Sequence, residues 1–557
     1  MAAASDNLTI TLADQADKMS PFVKETYSYV LDNSLGGFTS GQVVIDATSF
    51  ATSSSWNVFS ESYIELPVTI KAYASAALTT DMSAFGAGFK NGGALNLLDS
   101  VMVEINGTTI HQQVRSINEV LIWKLMSSLS ASDLLKDGAT LQFAPDEPAS
   151  WAWAAAASPS GLGLTNNLIA IPAAGVDFGL VATGQTASVA NSGLLKRQTY
   201  LSYDVAAGGR AAFTSVANMQ TMAQAYFAET GIANQEYVWY MMATLRLKDI
   251  APVFATLPPV KGLAVRLTLG LNQSDTVISC AAAATGNITA VTNAFPYGGS
   301  STAVMFDSRV ALNGNSGIAA AAAFTVTLST RCGATPFTSG TAALNPLGTQ
   351  ARLWVKQVTM QPSQEAEYIS NPVRRLYFND VVNYNIAAVT AGQNVTSLLT
   401  NGLKRLRALL MVPKLNATSN FGGLAQQVSP FVSGATAPAM HPTNFQVMVS
   451  TESVFPQPIS YGYRHFLENL RAAPSVNYGK TEGLCSGLIS QQGFEVGLDG
   501  YIYVDLSRCV DSTDDISRSV SVQFTHTGLL QADYFCYLLH EKVLDINVLS
   551  GAIVNYN

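Results

Sequence analysis

Apolar and polar residues alternate with period two along much of the chain, a pattern that predicts strands far more often than helices. Over 63–71, Ile64, Leu66, Val68 and Ile70 share one face while Glu65, Thr69 and Lys71 share the other. This is a half-buried strand in which Pro67 points to an edge or a bulge. Over 101–105 the alternation runs into Asn106-Gly107, the pair favoured where both turn residues need positive φ, and 108–111 return as the second arm of a hairpin. Leu263, Val265, Leu267, Leu269 and Leu271 alternate with Ala264, Arg266, Thr268 and Gly270. The theme repeats at Phe445/Val447/Val449, Ile502/Val504/Leu506 and Val520/Val522/Phe524. Helices are few. Ser116 and Glu119 fit a capping box, and Ile117, Val120, Leu121, Leu125 and Leu129 then follow helical spacing, predicting a helix over 117–130. Shorter helices are expected at 217–229, 246–256 and 461–471. Many strands, few helices and long polar connections point to antiparallel sandwiches, not a parallel α/β sheet.

At 557 residues the chain exceeds what one core usually serves, so two domains, or one with large insertions, are expected. The stretches 137–235 and 273–350 turn rich in Ala, Gly, Ser, Thr and Asn, with alanine runs at 154–157 and 319–323. Loops this long are functional or disordered. Their low charge and β-branched content predict ordered excursions that pack on neighbours or project from the surface.

Charged residues are only 12% of the chain, against about a quarter in typical domains. Ala, Ser, Thr, Asn, Gln and Gly replace them, which gives a surface that repels its own copies weakly and costs little to desolvate. Net charge is −8, and the first twenty residues hold Asp6, Asp14 and Asp17 against Lys18 alone. With no basic arm, sequence-specific or packaging contact with nucleic acid is not expected of this chain. Cys280, Cys332, Cys485, Cys509 and Cys536 are scattered without a C-x-x-C pair, and no charged-then-apolar segment opens the sequence. Both features predict synthesis in a reducing cytoplasm without a signal peptide. The Asn-x-Ser/Thr triplets at Asn7, Asn106, Asn272, Asn287, Asn394 and Asn416 then carry no glycan. The longest apolar stretches, such as 318–324, fall far short of the roughly 20 residues that cross a bilayer, so no transmembrane segment is expected.

Motifs that carry chemistry are incomplete. Gly479-Lys480-Thr481 resembles the end of a phosphate loop, but Pro474 stands where that loop needs its first glycine. His540-Glu541 opens like a zinc-protease helix, yet Leu544 replaces the second histidine. Around Gly483-Leu484-Cys485-Ser486-Gly487 the spacing of a nucleophile elbow is wrong. His111, His441, His465 and His526 lie in separate segments, with no carboxylate or cysteine at metal-ligand spacing, and read as structural. Asp511, Asp514 and Asp515 could converge on a calcium ion, but without the glycine and spaced ligands of a calcium loop a solvated turn is the better reading. Trp151 and Trp153 suit interface or core packing better than sugar stacking. No catalytic, cofactor-binding or metal residue is therefore assigned. Paired carboxylates assembled across strands leave no local signature, which keeps a carbohydrate-active or carbohydrate-binding β-sandwich as the competing reading.

Four segments together carry a family resemblance: YVWYMMATLRLKDIAPVFATLPPVKGLAVRLTLGL over 237–271; RLWVKQVTM over 352–360 with 365–372 after it; LKRLRALLMVP over 403–413; and FPQP over 455–458 followed by 461–470, YIYVDLS over 501–507 and DYFCY over 533–537. In order and spacing they resemble the double jelly-roll major capsid proteins of eukaryotic double-stranded DNA viruses. The likeness is greatest to the virophage and polinton-like groups and more distant to the large nucleocytoplasmic ones. In that family 237–271 corresponds to the short helix, proline turn and following strand late in the first roll. The segment 352–360 corresponds to its last strand, and 403–413 to an early second-roll strand ending in proline.

The resemblance implies an all-β fold of two tandem eight-stranded antiparallel jelly rolls, with a few short helices and long loop insertions. It implies an N-terminal arm at 1–20, a first roll over 21–370 containing both insertions, and a second roll over 371–557. It further implies a non-enzymatic major capsid protein that forms homotrimeric, pseudo-hexameric capsomers in an icosahedral virion. Partners would be neighbouring capsomers, penton and minor or cement capsid proteins, and an internal membrane where one lies beneath the shell. A minor capsid or vertex protein is the alternative within the same virus type. The stretch 273–350 is long for a connection before the last strand of the first roll, so its structure is not carried over.

Overall fold

The computed structural model describes residues 22–76, 87–112, 114–146, 151–153, 164–166, 197, 236–282, 288–306, 321–340, 348–416, 424–430, 436–437, 441–471, 487–496, 499–507, 516–528 and 530–556. The helix expected at 217–229, the 1–20 arm and most of 137–235 lie outside them.

The first half carries β1 (Phe22–Leu31), β2 (Gln42–Asp46), β3 (Trp56–Ala74), β4 (Ala87–Phe89), β5 (Leu98–Ile105), β6 (Thr108–His111), β7 (Trp151–Trp153), β8 (Leu164–Asn166), β9 (Glu236–Arg246), β10 (Val265–Leu271), β11 (Asp275–Cys280), β12 (Ile288–Ala294), β13 (Val304–Phe306), β14 (Phe324–Cys332) and β15 (Arg352–Met360). The second half carries β16 (Val373–Val389), β17 (Asn394–Leu403), β18 (Leu406–Leu415), β19 (Thr443–Val449), β20 (Glu452–Ser453), β21 (Ile502–Asp505), β22 (Arg518–Thr525), β23 (Ala532–Asn547) and β24 (Ile553–Tyr556).

Two sheets in each half repeat one wiring. In the first, β1-β15-β3-β9 faces β2-β10-β5-β6; in the second, β16-β23-β18-β21 faces β17-β22-β19-β20. Counting eight strands per half, both halves order them first-eighth-third-sixth and second-seventh-fourth-fifth. This is the jelly roll, formed twice in tandem.

The alternation in the sequence sets the faces. Ile64, Leu66, Val68 and Ile70 are fully buried in the sandwich, each worth roughly 1.5–3 kcal/mol in apolar burial. Tyr63 and Glu65 on the other face are partly exposed, but Thr69 and Lys71 on that face are buried, so the strand expected to be half-buried is buried on both faces over 66–72. Asn106 and Gly107 have φ of 48° and 79°, and Ile105 pairs with Thr108 across them. One continuous apolar cluster includes residues of both rolls, so the two sandwiches share a core.

Pro67 lies neither at a sheet edge nor in a bulge. β3 is central, paired with β9 along one side and on the other with β15 up to Glu65 and β14 from Val68. Pro67 sits in the gap between those two partners, and its carbonyl accepts from the Gly333 N–H just past the end of β14. The missing proline N–H therefore faces the one place on that side where no ladder partner stands. The described parts of 273–350 include three strands that extend the first roll. β14 joins β3, β11 joins β14, and β12 closes the series, extending the first sheet sideways.

Local helix signals were partly overridden. The expected 246–256 helix is two short ones, Leu247–Ile250 and Pro252–Thr256, because Ala251 before the proline is extended (φ −142°, ψ 118°). The 461–471 helix forms as Tyr463–Arg471. The 117–130 helix forms as Asn118–Ser128 but without the predicted capping box: Ile117 is the N-cap with no side-chain bond, and Ser116 has φ 55°. A box exists one helix later, where Ser130 and Asp133 bond reciprocally at the start of Ala131–Leu141. β18 continues two residues beyond Pro413, so that strand does not end in proline.

Candidate functional site

Ser116 sits at φ 55°, not in the extended conformation of an N-cap, and Glu119 is drawn into the seam between the rolls. The Ser116 carbonyl accepts from the Tyr537 hydroxyl at 2.9 Å, and the Arg115 carbonyl accepts from the Asn383 amide at 2.9 Å. Glu119 binds Lys414 Nζ at 2.7 Å with both side chains buried. Trp123 stacks on Tyr503 with ring centroids 5.0 Å apart. Asn383, Tyr537, Leu410 and Tyr503 are consecutive partners across β16, β23, β18 and β21. One cross-strand row on the outer face of the second roll thus rests on residues 115–123 of the first.

A second part of the seam is ionic. His111 Nδ1 lies 2.6 Å from Asp380 Oδ1, and Lys542 Nζ lies 2.6 Å from Asp380 Oδ2. Tyr556 Oη bonds Lys542 Nζ and the Ile110 carbonyl, each at 2.8 Å. Burial would raise the Asp380 pKa, but the His111 hydrogen bond and the charges of His111 and Lys542 outweigh it and hold this carboxyl well below the usual range. His540 stands opposite Asp380 in the β16–β23 ladder, and burial pushes it down to about 4 despite the nearby carboxylate. Lys124 is lowered to about 8 by burial, with Asp380 opposing. Elsewhere in the seam Lys90 donates to the Gln427 carbonyl at 3.1 Å, and burial holds it well below its ordinary range. Asp499 is raised to about 7 by burial and then by Asp146, whose own carboxylate binds Arg197 at 2.7 Å.

On the counterpart strands of the first roll an outer row is only partly covered: it ends at Arg246, which Asp137 and Asp249 hold, and is open at its β1 end. Tyr29, Trp354 and Tyr63 are consecutive partners across β1, β15 and β3, the topological counterparts of β16, β23 and β18. Tyr29 and Trp354 rings lie 4.8 Å apart, Tyr63 and Trp354 6.4 Å, and Tyr27 and Tyr63 6.1 Å. Trp354 Nε1 donates to Glu65 at 2.7 Å, which fixes the indole. Tyr27 and Tyr29 are 47% and 52% exposed. Fourteen large apolar side chains are exposed among the described residues, and four lie on β1 (Val23, Tyr27, Tyr29, Leu31) and four on β16 (Val373, Tyr377, Val382, Tyr384). Each of these strands is the first of its roll and is paired along one edge only among the described residues. Such edges need covering, because free backbone donors and acceptors recruit further strands.

Among the residues singled out in the sequence, His111 and His540 meet in the seam, 429 positions apart in number. His526 is a core histidine bonded to the Tyr534 hydroxyl and the Leu530 carbonyl. His441 stacks on Phe494 and contacts Glu495. His465 tilts against Tyr461. Asp511, Asp514, Asp515, the Gly479–Thr481 segment, Cys485 and Cys509 lie outside the described residues, and the side chains of Trp151 and Trp153 are not described. Cys280, Cys332 and Cys536 are buried. Asn272 is fully buried, its amide donating to the Asn96 and Leu98 carbonyls and Ser301, a position a glycan could not occupy in the folded chain. Among the described residues no group of three or more His, Cys, Asp or Glu side chains could hold a metal, and no helix is long and apolar enough to cross a membrane. The aromatic row was missed because its residues come from three distant segments; the Tyr-x-Tyr of β1 and the Trp of β15 were the only local traces.

No protein-family profile and no curated protein sequence matches the chain significantly. Among solved structures, a chain of the Sputnik virophage particle aligns with a TM-score of 0.52 at 11% identity, over 98% of this chain and 90% of that one. The mavirus major capsid protein aligns with a TM-score of 0.47 at 10% identity, over 97% and 92%. The Faustovirus major capsid protein aligns with a TM-score of 0.43 at 11% identity, over 95% and 92%. At these identities the likeness to the Sputnik chain speaks for the fold: two tandem jelly rolls matched almost end to end.

Proposed function

We propose that this double jelly-roll chain is a major capsid protein, building the icosahedral shell of a double-stranded DNA virus as homotrimeric, pseudo-hexameric capsomers. The observation that carries the reading is the repeat itself: two rolls of identical strand order fused through a shared core, in the arrangement the Sputnik particle also contains. Three such chains supply six rolls, and a ring of six similar units tiles a surface. The 12% charge content and the eight exposed apolar side chains on β1 and β16 support burial against neighbours. Stable contacts of this kind bury upwards of about 1,000 Å². In this reading the chain divides into an arm at 1–20, a roll at 21–370 and a roll at 371–557. It works in the virion through its contact surfaces and has no catalytic centre, and its partners are adjoining capsomers, penton and minor capsid proteins. Light scattering on the recombinant chain tests the stoichiometry. A mass near three times 58.9 kDa with hexagonal outlines in negative stain is expected; a monomer that persists as concentration is raised would refute it.

A further inference from the structure

We propose that the free edge of β1 accepts the segment 7–13 of another copy of this chain as an added antiparallel strand. The inference rests on the capsomer reading and names a tie that would hold its copies together.

β1 is a strand without cover. Among the described residues it pairs with β15 along one edge only, and not one of its ten residues is buried. An open edge of this length is a template for a further extended segment, with backbone hydrogen bonds supplying the affinity and the side chains on each face choosing the occupant.

The two faces of β1 differ. Val23, Tyr27, Tyr29 and Leu31 share one face, and Lys24, Thr26 and Ser28 share the other. A strand laid on the edge has to continue an apolar face on one side and a hydroxyl-bearing face on the other. The segment Asn7-Leu8-Thr9-Ile10-Thr11-Leu12-Ala13 has that pattern, with Leu8, Ile10 and Leu12 alternating with Thr9 and Thr11. With Ile10 opposite Tyr29 in an antiparallel register, Leu8 meets Leu31, Leu12 meets Tyr27 and Thr11 meets Ser28, so every one of these cross-strand pairs joins like with like. The exposed apolar residues of β16 offer no such match. Val373 and Tyr377 share one parity with Arg375 between them, and Val382 and Tyr384 fall on the other.

The connection assigns the segment to a neighbour and not to its own β1. The nine residues between Leu12 and Phe22, ADQADKMSP, hold no glycine and no hairpin pair such as Asn-Gly, and Ser20 stands before Pro21, which favours extended backbone. Nine extended residues span about 30 Å, enough to leave the start of β1 and reach the next molecule. Each copy then gives one strand and receives one, a head-to-tail contact that can close into a ring.

Two measurements on the full chain test this. Two differently tagged chains, one with Thr11→Cys and one with Ser28→Cys, both in a background of Cys485→Ser and Cys509→Ser, are coexpressed and treated with a short bis-maleimide. A covalent dimer carrying both tags is expected on a denaturing gel, and none when Leu135→Cys, an unrelated exposed site, replaces Ser28→Cys. Separately, Ile10→Asp should raise the concentration needed for assembly at least tenfold by light scattering, with the thermal transition retained. A wild-type monomer at every concentration would remove the capsomer reading and this contact with it. A wild-type trimer that neither links 11 to 28 nor responds to Ile10→Asp would overturn the contact alone. So would a link formed only within a chain that carries both cysteines, which would put the segment on its own β1, or a link to Tyr384→Cys in place of Ser28→Cys, which would put it on β16.

Discussion

Replacing His540 by glutamine should make the chain less sensitive to acid, and the size of the effect follows from the seam. In the folded protein burial holds this imidazole at about 4, against an ordinary value of 6.5 in the unfolded chain. The unfolded chain therefore takes up a proton first as pH falls. Stability is full above 6.5, drains away between 6.5 and 4, and levels off below. The whole shift is 6.5 − 4 = 2.5, and at about 1.4 kcal/mol for each pH unit it is worth about 3.5 kcal/mol. Between pH 7 and pH 4.5 most of that, about 2.5 kcal/mol, is lost. Asp499 slopes the other way: its pKa is raised from 3.8 to about 7, so its contribution is present at low pH and lost as pH rises through 7. The net pH profile of the wild type thus mixes two opposed slopes, and only a difference isolates His540. Urea unfolding of wild type and His540→Gln at pH 7 and pH 4.5 supplies it. The variant should gain about 2.5 kcal/mol relative to wild type on moving to pH 4.5. Unfolding curves that shift in parallel would refute the premise that His540 is buried and neutral beside Asp380 and Lys542.

The remaining predictions concern the seam and one hairpin. Lys414→Met alone should cost about 3–5 kcal/mol by leaving Glu119 charged and buried, whereas Lys414→Met with Glu119→Leu should recover most of it; a double-mutant cycle by denaturant unfolding measures the coupling. Gly107→Ala should cost only about 1–2 kcal/mol, the price of positive φ, because a Cβ there meets nothing within 4 Å. Gly333→Ala should cost more than that, since its Cβ would lie 2.3 Å from the Gly36 carbonyl oxygen as well as at φ 63°; thermal unfolding of the two variants should rank them in that order. Asp499→Asn should abolish the gain in stability that acidification gives through this site, so that wild type gains stability over the variant between pH 7.5 and pH 5 in denaturant unfolding.

What was legible in the sequence was whatever one strand or one turn decides alone. Alternation over 63–71 told which side chains face the sandwich, and Asn106-Gly107 told where β5 turns into β6. The errors arose where a residue answers to something distant. Ser116 and Glu119 spell a capping box, but Ser116 takes a left-handed backbone at φ 55° and the Glu119 carboxylate is taken by Lys414 in the other roll. Pro67 reads as an edge residue because proline in a strand usually is one; nothing nearby reveals that β15 and β14 divide that side of β3 between them. The His111–Asp380–Lys542 group draws on three segments, with His111 and Asp380 269 positions apart, and no window contains it. The extra strands β11, β12 and β14 hid in an alanine-rich stretch whose composition suggested loop.

The differences between the two rolls bear on how copies would meet. Their strand orders are the same, yet their equivalent outer rows have diverged in use. The second roll's row spends its polar tips inside the chain, with Asn383 and Tyr537 on backbone carbonyls and Tyr503 against Trp123. The first roll's row keeps three rings turned outward and fixes the middle one through Glu65. A duplicated fold with both rows spent would leave no similar surface for a neighbour, and one with neither spent would leave the rolls free to separate. Covering one row ties the rolls together, while Tyr27 and Tyr29 beside the other stay about half exposed.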